Sequence, residues 1–397
     1  MGKNYSKLAI EKHKKLKGKL EINLKATIKN QDDLSTFYTP GVAAPCLEIA
    51  KNPKTVYDYT IKGNTVAIVT DGTRVLGLGD IGPLASLPVM EGKAILFKEL
   101  ANIDAFPIPL TTKDADEIVR TVKAISPVFG GINLEDIETP KCYEIEERLQ
   151  DIGIPVMHDD QHGTAIVLVA ALLNAAKVVG KKIENMKVVL NGAGAAGTAI
   201  AKILLCLHTS YNVCNRVKDV ILLDSHGIIY EGRNNLDKYK EELAKVTNNG
   251  KRRGSLQDAI KGADVLISAV GKVSVPADYI KLMNKKAIVF ALSNPNPEIY
   301  PADAKKAGAY IVGTGRSDFP NQVNNALAFP GIFRGALDAK ATRITSEMKM
   351  AAIKAIANSV KNTTRDKILP SVLDKKVHLA VAKAVKEMAI KQGVTRK

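Results

Sequence analysis

An α/β fold with a doubly wound parallel sheet in its second half is what this 397-residue sequence predicts. Three observations predict it. From Lys187 onward, short apolar runs alternate strictly with helical stretches, the pattern of a parallel sheet covered on both faces. The first run, Val188-Val189-Leu190, leads directly into Gly192-Ala193-Gly194-Ala195-Ala196-Gly197. A glycine-rich turn between a strand and a helix is how Rossmann-type sheets hold a dinucleotide pyrophosphate. Upstream, a smaller set of strands and helices ends in a cluster of carboxylates, which predicts a second, N-terminal α/β unit. The length favours two or three domains. The boundary is placed between residues 163 and 164, with the acidic cluster before it and the nucleotide loop after it.

The elements follow in order. Residues 5–19 read as a lysine-rich helix ending near Gly18, and residues 39–45 as a Pro/Gly turn. Residues 66–69 are a short β-branched strand, followed by a glycine-rich segment over 71–83. Residues 92–100 read as a helix, and 105–109 and 128–132 as strands. An acidic helix over 139–151 is ended by Gly153. A strand at 154–157 runs into an acidic loop, and residues 164–179 form a long apolar helix. In the second half, strands are expected at 187–190, 220–223, 265–269, 287–291 and 309–312. The helix after the glycine loop is expected at 198–205, and closing helices at 345–361 and 375–391.

Composition narrows the function classes. At 46% hydrophobic and 25% charged, the chain has the make-up of an ordinary globular protein. Its net charge is +16, from 45 Lys and only 12 Arg. Readers of nucleic-acid bases lean on Arg, and single-strand binders lean on aromatic platforms. With no Trp and 5% aromatics, no nucleic-acid partner is expected; the charge reads first as a generally lysine-rich surface, with attraction for anionic substrate and nucleotide as the alternative. Cys46, Cys142, Cys206 and Cys214 include no Cys-x-x-Cys pair. Neither a structural zinc site nor a disulfide framework is expected, and a reducing cytoplasm fits. The longest apolar run, near 165–173, is too short to span a bilayer, and no signal peptide is visible, so no membrane partner is expected. Met1-Gly2 with Ser6 matches a loose acylation pattern, outweighed by the reading of a plain lysine-faced first helix.

Two constellations carry chemistry. Glu135-Asp136 and Asp159-Asp160, the latter within His158-Asp159-Asp160-Gln161-His162-Gly163-Thr164, would bring three or four carboxylates together. Such a cluster calls for a hard divalent cation with oxygen ligands, Mg²⁺ or Mn²⁺. The glycine loop calls for NAD. Asp224, at the end of the second strand of that unit, would accept hydrogen bonds from the ribose hydroxyls. Ser225 and His226 after it offer no Arg or Lys for a 2′-phosphate, while Arg216 and Lys218 nearby keep NADP open. Arg74, in a second glycine-rich segment, could clamp a carboxylate. Lys93, at the predicted start of its helix, could act as a base if neighbouring cations lower its pKa. Tyr38 is a phenol that could serve as an acid.

Tyr38-Thr39-Pro40-Gly41, the 71–83 segment, Glu91-Gly92-Lys93, Glu135-Asp136, His158–Thr164 and the glycine loop stand in the order of the malic enzymes, and the sequence resembles their short bacterial form over residues 30–340. The resemblance implies an N-terminal α/β malic-enzyme domain and oxidative decarboxylation of L-malate to pyruvate and CO₂. It implies Glu135, Asp136 and Asp160 as metal ligands with Asp159 beside them, Lys93 as general base and Tyr38 as general acid. Arg74, Asn294 and Asn325 would contact malate, and Asn294 also the cofactor. A homodimer is expected. Two other readings stay open: a malolactic activity, in which the nicotinamide is reoxidised before release, and a basic nucleic-acid or membrane-surface binder.

Overall fold

The computed structural model describes residues 5–207, 209, 214–271 and 273–396; Met1 and Gly2 of the acylation pattern lie outside them. Two sheets organise the chain. The first comprises β1 (Thr65–Thr70), β2 (Asp104–Pro109), β3 (Gly131–Leu134) and β4 (Val156–His158), all parallel in the order β2-β1-β3-β4. The second comprises β5 (Lys187–Asn191), β6 (Asp219–Asp224), β7 (Gly227–Ile228), β8 (Val265–Ser268), β9 (Ala287–Ala291) and β10 (Ala309–Thr314), in the order β10-β9-β8-β5-β6-β7. Only the short β7 runs antiparallel, as a hairpin on β6. The chain order reverses between β5 and its neighbours β6 and β8, and ligands bind at the carboxyl ends of strands at such a switch point.

Alternation along β5 explains why the sheet is covered on both faces. Val188 and Leu190 pack into one core cluster and Val189 into another. The first of those clusters also holds Val66 and Ile68 of β1 and most of the Asp159–Val179 helix. One continuous core therefore reaches from the first sheet to the second, with that helix between them. By length and composition the helix could cross a bilayer, contrary to the reading of the 165–173 run. However, 72% of its apolar window is buried inside the protein, which is how a central core helix behaves.

Several boundaries differ from expectation. The helix carrying Lys93 is Gly82–Ala101, ten residues longer at its start than predicted, so Lys93 sits in mid-helix. Pro83 in the first turn costs nothing there, because that N–H has no helical partner. Pro88 removes a hydrogen bond to the Leu84 carbonyl, but Leu84 is 88% exposed, so the loss falls on the solvent-facing side of the helix. Residues Ser126–Val128 form a 3₁₀ turn, and the strand begins only at Gly131. The acidic stretch is not a loop: it is the first turn of the Asp159–Val179 helix, where carboxylates meet the positive end of the helix dipole. The helix after the glycine loop begins at Ala195, inside the motif. Helices at Gln31–Phe37, Ala43–Lys51, Ala115–Ile125 and Phe329–Asp338 were not foreseen. Nor was the disulfide between Cys206 and Cys214, which corrects the expectation that no disulfide is formed; the two cysteines, eight positions apart, lie outside any recognisable spacing motif, and their Cα atoms stand 5.8 Å from each other.

The N-terminal segment stands apart. Helices Tyr5–Leu16, Gln31–Phe37 and Ala43–Lys51 bury no residue. Lys19 ties the segment down: its N–H donates to Glu91 Oε2 at 3.0 Å and its Nζ to the Pro88 carbonyl at 2.5 Å.

Candidate active site

The carboxyl ends of the first sheet's strands deliver the acidic residues. Glu135 and Asp136 follow β3, and Asp159 and Asp160 follow β4. One oxygen each from Glu135, Asp136 and Asp160 lies within 4.8 Å of the others. The Asp136 N–H donates to Asp160 Oδ2 at 2.8 Å, and the Arg74 N–H to the Asp136 carbonyl at 3.0 Å. Asp136 holds a left-handed φ of 52°, a conformation Asp tolerates better than most side chains and one that gathers at functional sites.

The electrostatics fit a divalent cation. Burial raises the Glu135 carboxyl well above its ordinary value. Burial, with the Asp160 charge adding to it, pushes Asp136 up to about 8. Asp136 Oδ2 is buried without a partner. Buried carboxylates this close resist ionisation unless a positive charge joins them. Three hard oxygen ligands suit Mg²⁺ or Mn²⁺ rather than a softer ion. Asp160 alone is held below the usual range, because the His158 hydrogen bond and charge outweigh its burial.

Lys93 and Asp159 form a separate unit beside the cluster. Lys93 Nζ lies 2.7 Å from Asp159 Oδ2 and 2.9 Å from Glu135 Oε1, and 4.4 Å from the centre of the Phe329 ring. Asn325 Nδ2 donates to the same Asp159 oxygen at 2.6 Å. Asp159 is fully buried and clamped by these two groups, so it braces Lys93 rather than joining the three-carboxylate set. Burial favours a neutral Lys93, but the Asp159 and Glu135 charges more than offset it and raise its pKa. This corrects the expected lowering: carboxylates, not cations, are the nearest neighbours.

The second sheet closes the site. Gly192 adopts φ 121°, reserved for glycine, and Gly197 packs so closely on the Gly192 carbonyl that a Cβ would overlap it. Gly194 through Gly197 line one cleft of about 350 Å³ with Arg74, Lys93, Glu135, Asp136, Asp160, Asn294 and Asn325. Ala193 is buried just behind it. Glu298, fully buried, accepts from the Val270 and Ser293 N–H groups and from Ser293 Oγ, which fixes the turn bearing Asn294.

Two predicted residues stand elsewhere. Tyr38 is 65% exposed and does not line the cleft. Asp224 sits at the end of β6 beside a separate cavity, where Arg233 pairs with Oδ2 and Lys240 Nζ lies 3.4 Å from the same oxygen. Arg216 and Lys218 do not line that cavity; the cations there, Arg233 and Arg253, come from later in the chain. The sequence reading assigned no role to Arg233, nor to Glu146. Glu146 accepts from the His158 N–H and from Gln161 Nε2, and meets His162 Nε2 at 2.9 Å, so it holds the metal-side turn from behind. The one available signal was that His158, Gln161 and His162 flank the acidic pair.

A dinucleotide loop facing a carboxylate cluster across one cleft defines a nicotinamide-dependent oxidoreductase of the α/β class. Comparison with known proteins makes this specific. The chain matches the malic enzyme N-terminal domain over residues 17–150 and the malic enzyme NAD binding domain over residues 161–390. It is 56% identical to the bifunctional malic/malolactic enzyme of Bacillus subtilis, across 98% of this chain and 94% of that one. It is 54% identical to the NAD-dependent malic enzyme of Geobacillus stearothermophilus, across 96% and 78%. The NAD-dependent malic enzyme of Thermotoga maritima superposes with a TM-score of 0.91 at 49% identity, across 95% of this chain and 98% of that one. The chain belongs to the malic enzyme family.

Proposed function

We propose that this enzyme oxidatively decarboxylates L-malate to pyruvate and CO₂, using a divalent metal and a nicotinamide dinucleotide. The observation that carries the reading is the single cleft shared by the Glu135-Asp136-Asp160 cluster, the Lys93–Asp159–Asn325 unit and the glycine loop. Residues 1–163 would supply the metal and substrate groups and residues 164–397 the nucleotide groups, with the Asp159–Val179 helix running across the boundary.

Glu135, Asp136 and Asp160 would hold Mg²⁺ or Mn²⁺. When bound, the ion supplies a Lewis acid beside the C2 oxygen and the nicotinamide supplies the hydride acceptor. Arg74 holds a malate carboxylate, and Asn294 and Asn325 orient the substrate. Lys93 takes the C2 hydroxyl proton. Asp159 and Asn325 fix its position, and a cation held by Glu135 would oppose the ammonium form that the Asp159 and Glu135 charges favour. The N-terminus of the Ala195–Leu204 helix faces the pyrophosphate. The last step needs a proton at C3, the role assigned to Tyr38. We further propose NAD over NADP, a homodimer, and a cytoplasmic setting, where nicotinamide pools are kept.

An absorbance assay at the reduced-nicotinamide band, with malate, Mn²⁺ and either dinucleotide, tests the reading; no reduced nicotinamide and no pyruvate would sink it. The name of the Bacillus subtilis relative favours one second reading, malolactic turnover; lactate formed without free NADH would identify it. Asp160→Ala should abolish turnover at any Mn²⁺ concentration. Losing a group that merely supports a ligand typically costs about 10–100-fold, so losing a ligand costs more. Wild-type rates at low Mn²⁺ in that variant would remove Asp160 from the metal site.

A further inference from the structure

We propose that a cavity behind the metal turn is a regulatory site for a small organic phosphate, whose phosphate group seats between Lys202 and Lys349. The site stands on geometry alone; its regulatory role rests on the malate-decarboxylating reading.

The cavity holds about 730 Å³, within the range of small-molecule sites. Elements from both halves of the chain wall it. The Lys141–Arg148 helix contributes Glu146, and the first turn of the Asp159–Val179 helix contributes Gln161 and His162. The Ala195–Leu204 helix, which starts at the glycine loop, contributes Lys202. The Ser346–Asn358 helix contributes Lys349. None of these residues lines the catalytic cleft.

Charge points to the ligand. Among the described residues, neither the Lys202 nor the Lys349 ammonium forms an ion pair or a hydrogen bond. Lys202 has only the Tyr239 ring, 5.8 Å away. Burial holds the Lys349 pKa below the ordinary lysine value; the Glu146 charge opposes this and the Lys202 charge adds to it. Two ammonium groups that repel one another in a cavity call for a counter-ion. The carboxylates nearby do not supply it. Glu146 is engaged by His162, Gln161 and the His158 N–H. Glu347 accepts from Gln392 Nε2, and Glu147 and Glu242 are exposed. Ser346, at the start of its helix, opens onto the same space, where an anion meets the positive end of the helix dipole. A carboxylate brings one negative charge. A phosphate monoester brings about 1.5 to 2 at pH 7 and so balances both lysines. The cavity is roomier than a phosphate group needs, and Ile203, Ile344 and Met350 give it an apolar side, so the ester carries an organic body.

Glu146 connects this site to catalysis. It faces the cavity, holds the metal turn through three bonds, and feels the Lys349 charge. A phosphate engaging Lys202 and Lys349 ties the nucleotide helix and the closing helix together against the metal turn. It should steady the two halves of the cleft relative to each other and lower the KM for malate.

The test is calorimetry with glycerol 3-phosphate on the full chain, saturated with NAD so that the glycine loop is filled. One site per chain is expected. Lys349→Met and Lys202→Met should each weaken it about 10–100-fold, the loss of one bond between charged groups. Thermal unfolding checks that both variants fold. A phosphate bound at Arg74 or at the glycine loop would survive both substitutions, so binding that neither variant weakens overturns the site, as does the absence of saturable binding. Inorganic phosphate and succinate are titrated in parallel and should bind more weakly. Tighter inorganic phosphate would overturn the organic body, and tighter succinate the phosphate class. In steady-state assays, saturating glycerol 3-phosphate should lower the KM for malate about 5-fold in the wild type, a typical coupling between sites, and leave it unmoved in Lys349→Met. An unmoved KM in the wild type would overturn the regulatory role. An enzyme inert towards malate that still binds glycerol 3-phosphate through Lys349 would overturn the functional reading alone.

Discussion

Asp224 is a residue whose task depends on what holds it. Sequence position made it a ribose acceptor, and the structure keeps its carboxylate low in pKa: burial opposes ionisation, but Arg233, the His226 N–H and Lys240 outweigh it. The same cations that steady Asp224 would welcome a 2′-phosphate if the carboxylate were gone. Asp224→Ala should therefore weaken NAD and improve NADP. A hydrogen bond to a charged group is worth about 1.5–3 kcal/mol, so kcat/KM for NAD should fall roughly 10–100-fold. Arg233→Ala in the Asp224→Ala background should cancel the NADP gain. Measuring kcat/KM for both dinucleotides checks this, and a ratio unmoved by Asp224→Ala would show that the β6 end does not set cofactor choice. Arg233 was illegible in the sequence because the hairpin that returns it to Asp224 contains a two-residue strand with no periodic signal. Lys93 was legible as a functional lysine, yet its charge state was not. Its neighbours Asp159 and Glu135 are 66 and 42 positions away in the chain, and only folding places them around it.

At the scale of elements, the Asp159–Val179 helix does most of the positioning. Its apolar body was readable from composition. Its first turn was not, since His158-Asp159-Asp160-Gln161-His162-Gly163 shows no apolar period and reads as loop until the dipole of a buried helix is considered. The Gly82–Ala101 helix hid its start behind Gly82, Pro83 and Pro88 for the same reason: local rules read breakers where the solvent-facing side of a helix tolerates them. The second sheet was read almost strand for strand, because strands buried on both faces carry a continuous apolar signal. Within the first turn, Gly163 is the tightest point. A Cβ there would overlap Asp159 Oδ1 and lie 3.0 Å from Asn325 Cβ. Gly163→Ala should push Asp159 and Asn325 apart, loosen Lys93, and lower kcat by about 100-fold, the effect of a misplacement of roughly 1 Å. Mn²⁺ affinity should change far less, because Glu135, Asp136 and Asp160 lie off that contact. Steady-state kinetics with a metal titration separates the two, and a Gly163→Ala enzyme with wild-type kcat would show that the Lys93–Asp159–Asn325 unit tolerates displacement.

At the scale of the whole molecule, catalysis requires two sheets to keep one cleft, and the shared core must hold them. Asn174, buried in the apolar body of the Asp159–Val179 helix, is the polar exception in that core. Its Nδ2 donates to the Ala357 carbonyl at 2.8 Å and to the Ile368 carbonyl at 3.0 Å. These acceptors stand at the end of the Ser346–Asn358 helix and in the segment after it, so one amide stitches the central helix to the closing elements nearly two hundred residues on. Replacing it by Ala takes the side-chain donor from the Ile368 carbonyl, leaves the Ala357 carbonyl only a long bond of 3.4 Å from the Val360 N–H, and opens a small void. An unmet buried acceptor costs about 1–3 kcal/mol and the void adds to it, so Asn174→Ala should lose roughly 2–4 kcal/mol in all. Asp160 and Asn174 are 14 residues apart on one helix, about 21 Å at 1.5 Å per residue. The metal turn should therefore keep its shape while the fold weakens. Thermal unfolding should shift clearly downward, with KM for malate and the dinucleotide within about twofold of wild type at temperatures where both are folded, since sites this far apart without shared partners usually act independently. An unchanged melting temperature would show that water or a neighbouring donor replaces Asn174. A lost KM at full stability would show instead that the closing helices transmit their position to the cleft.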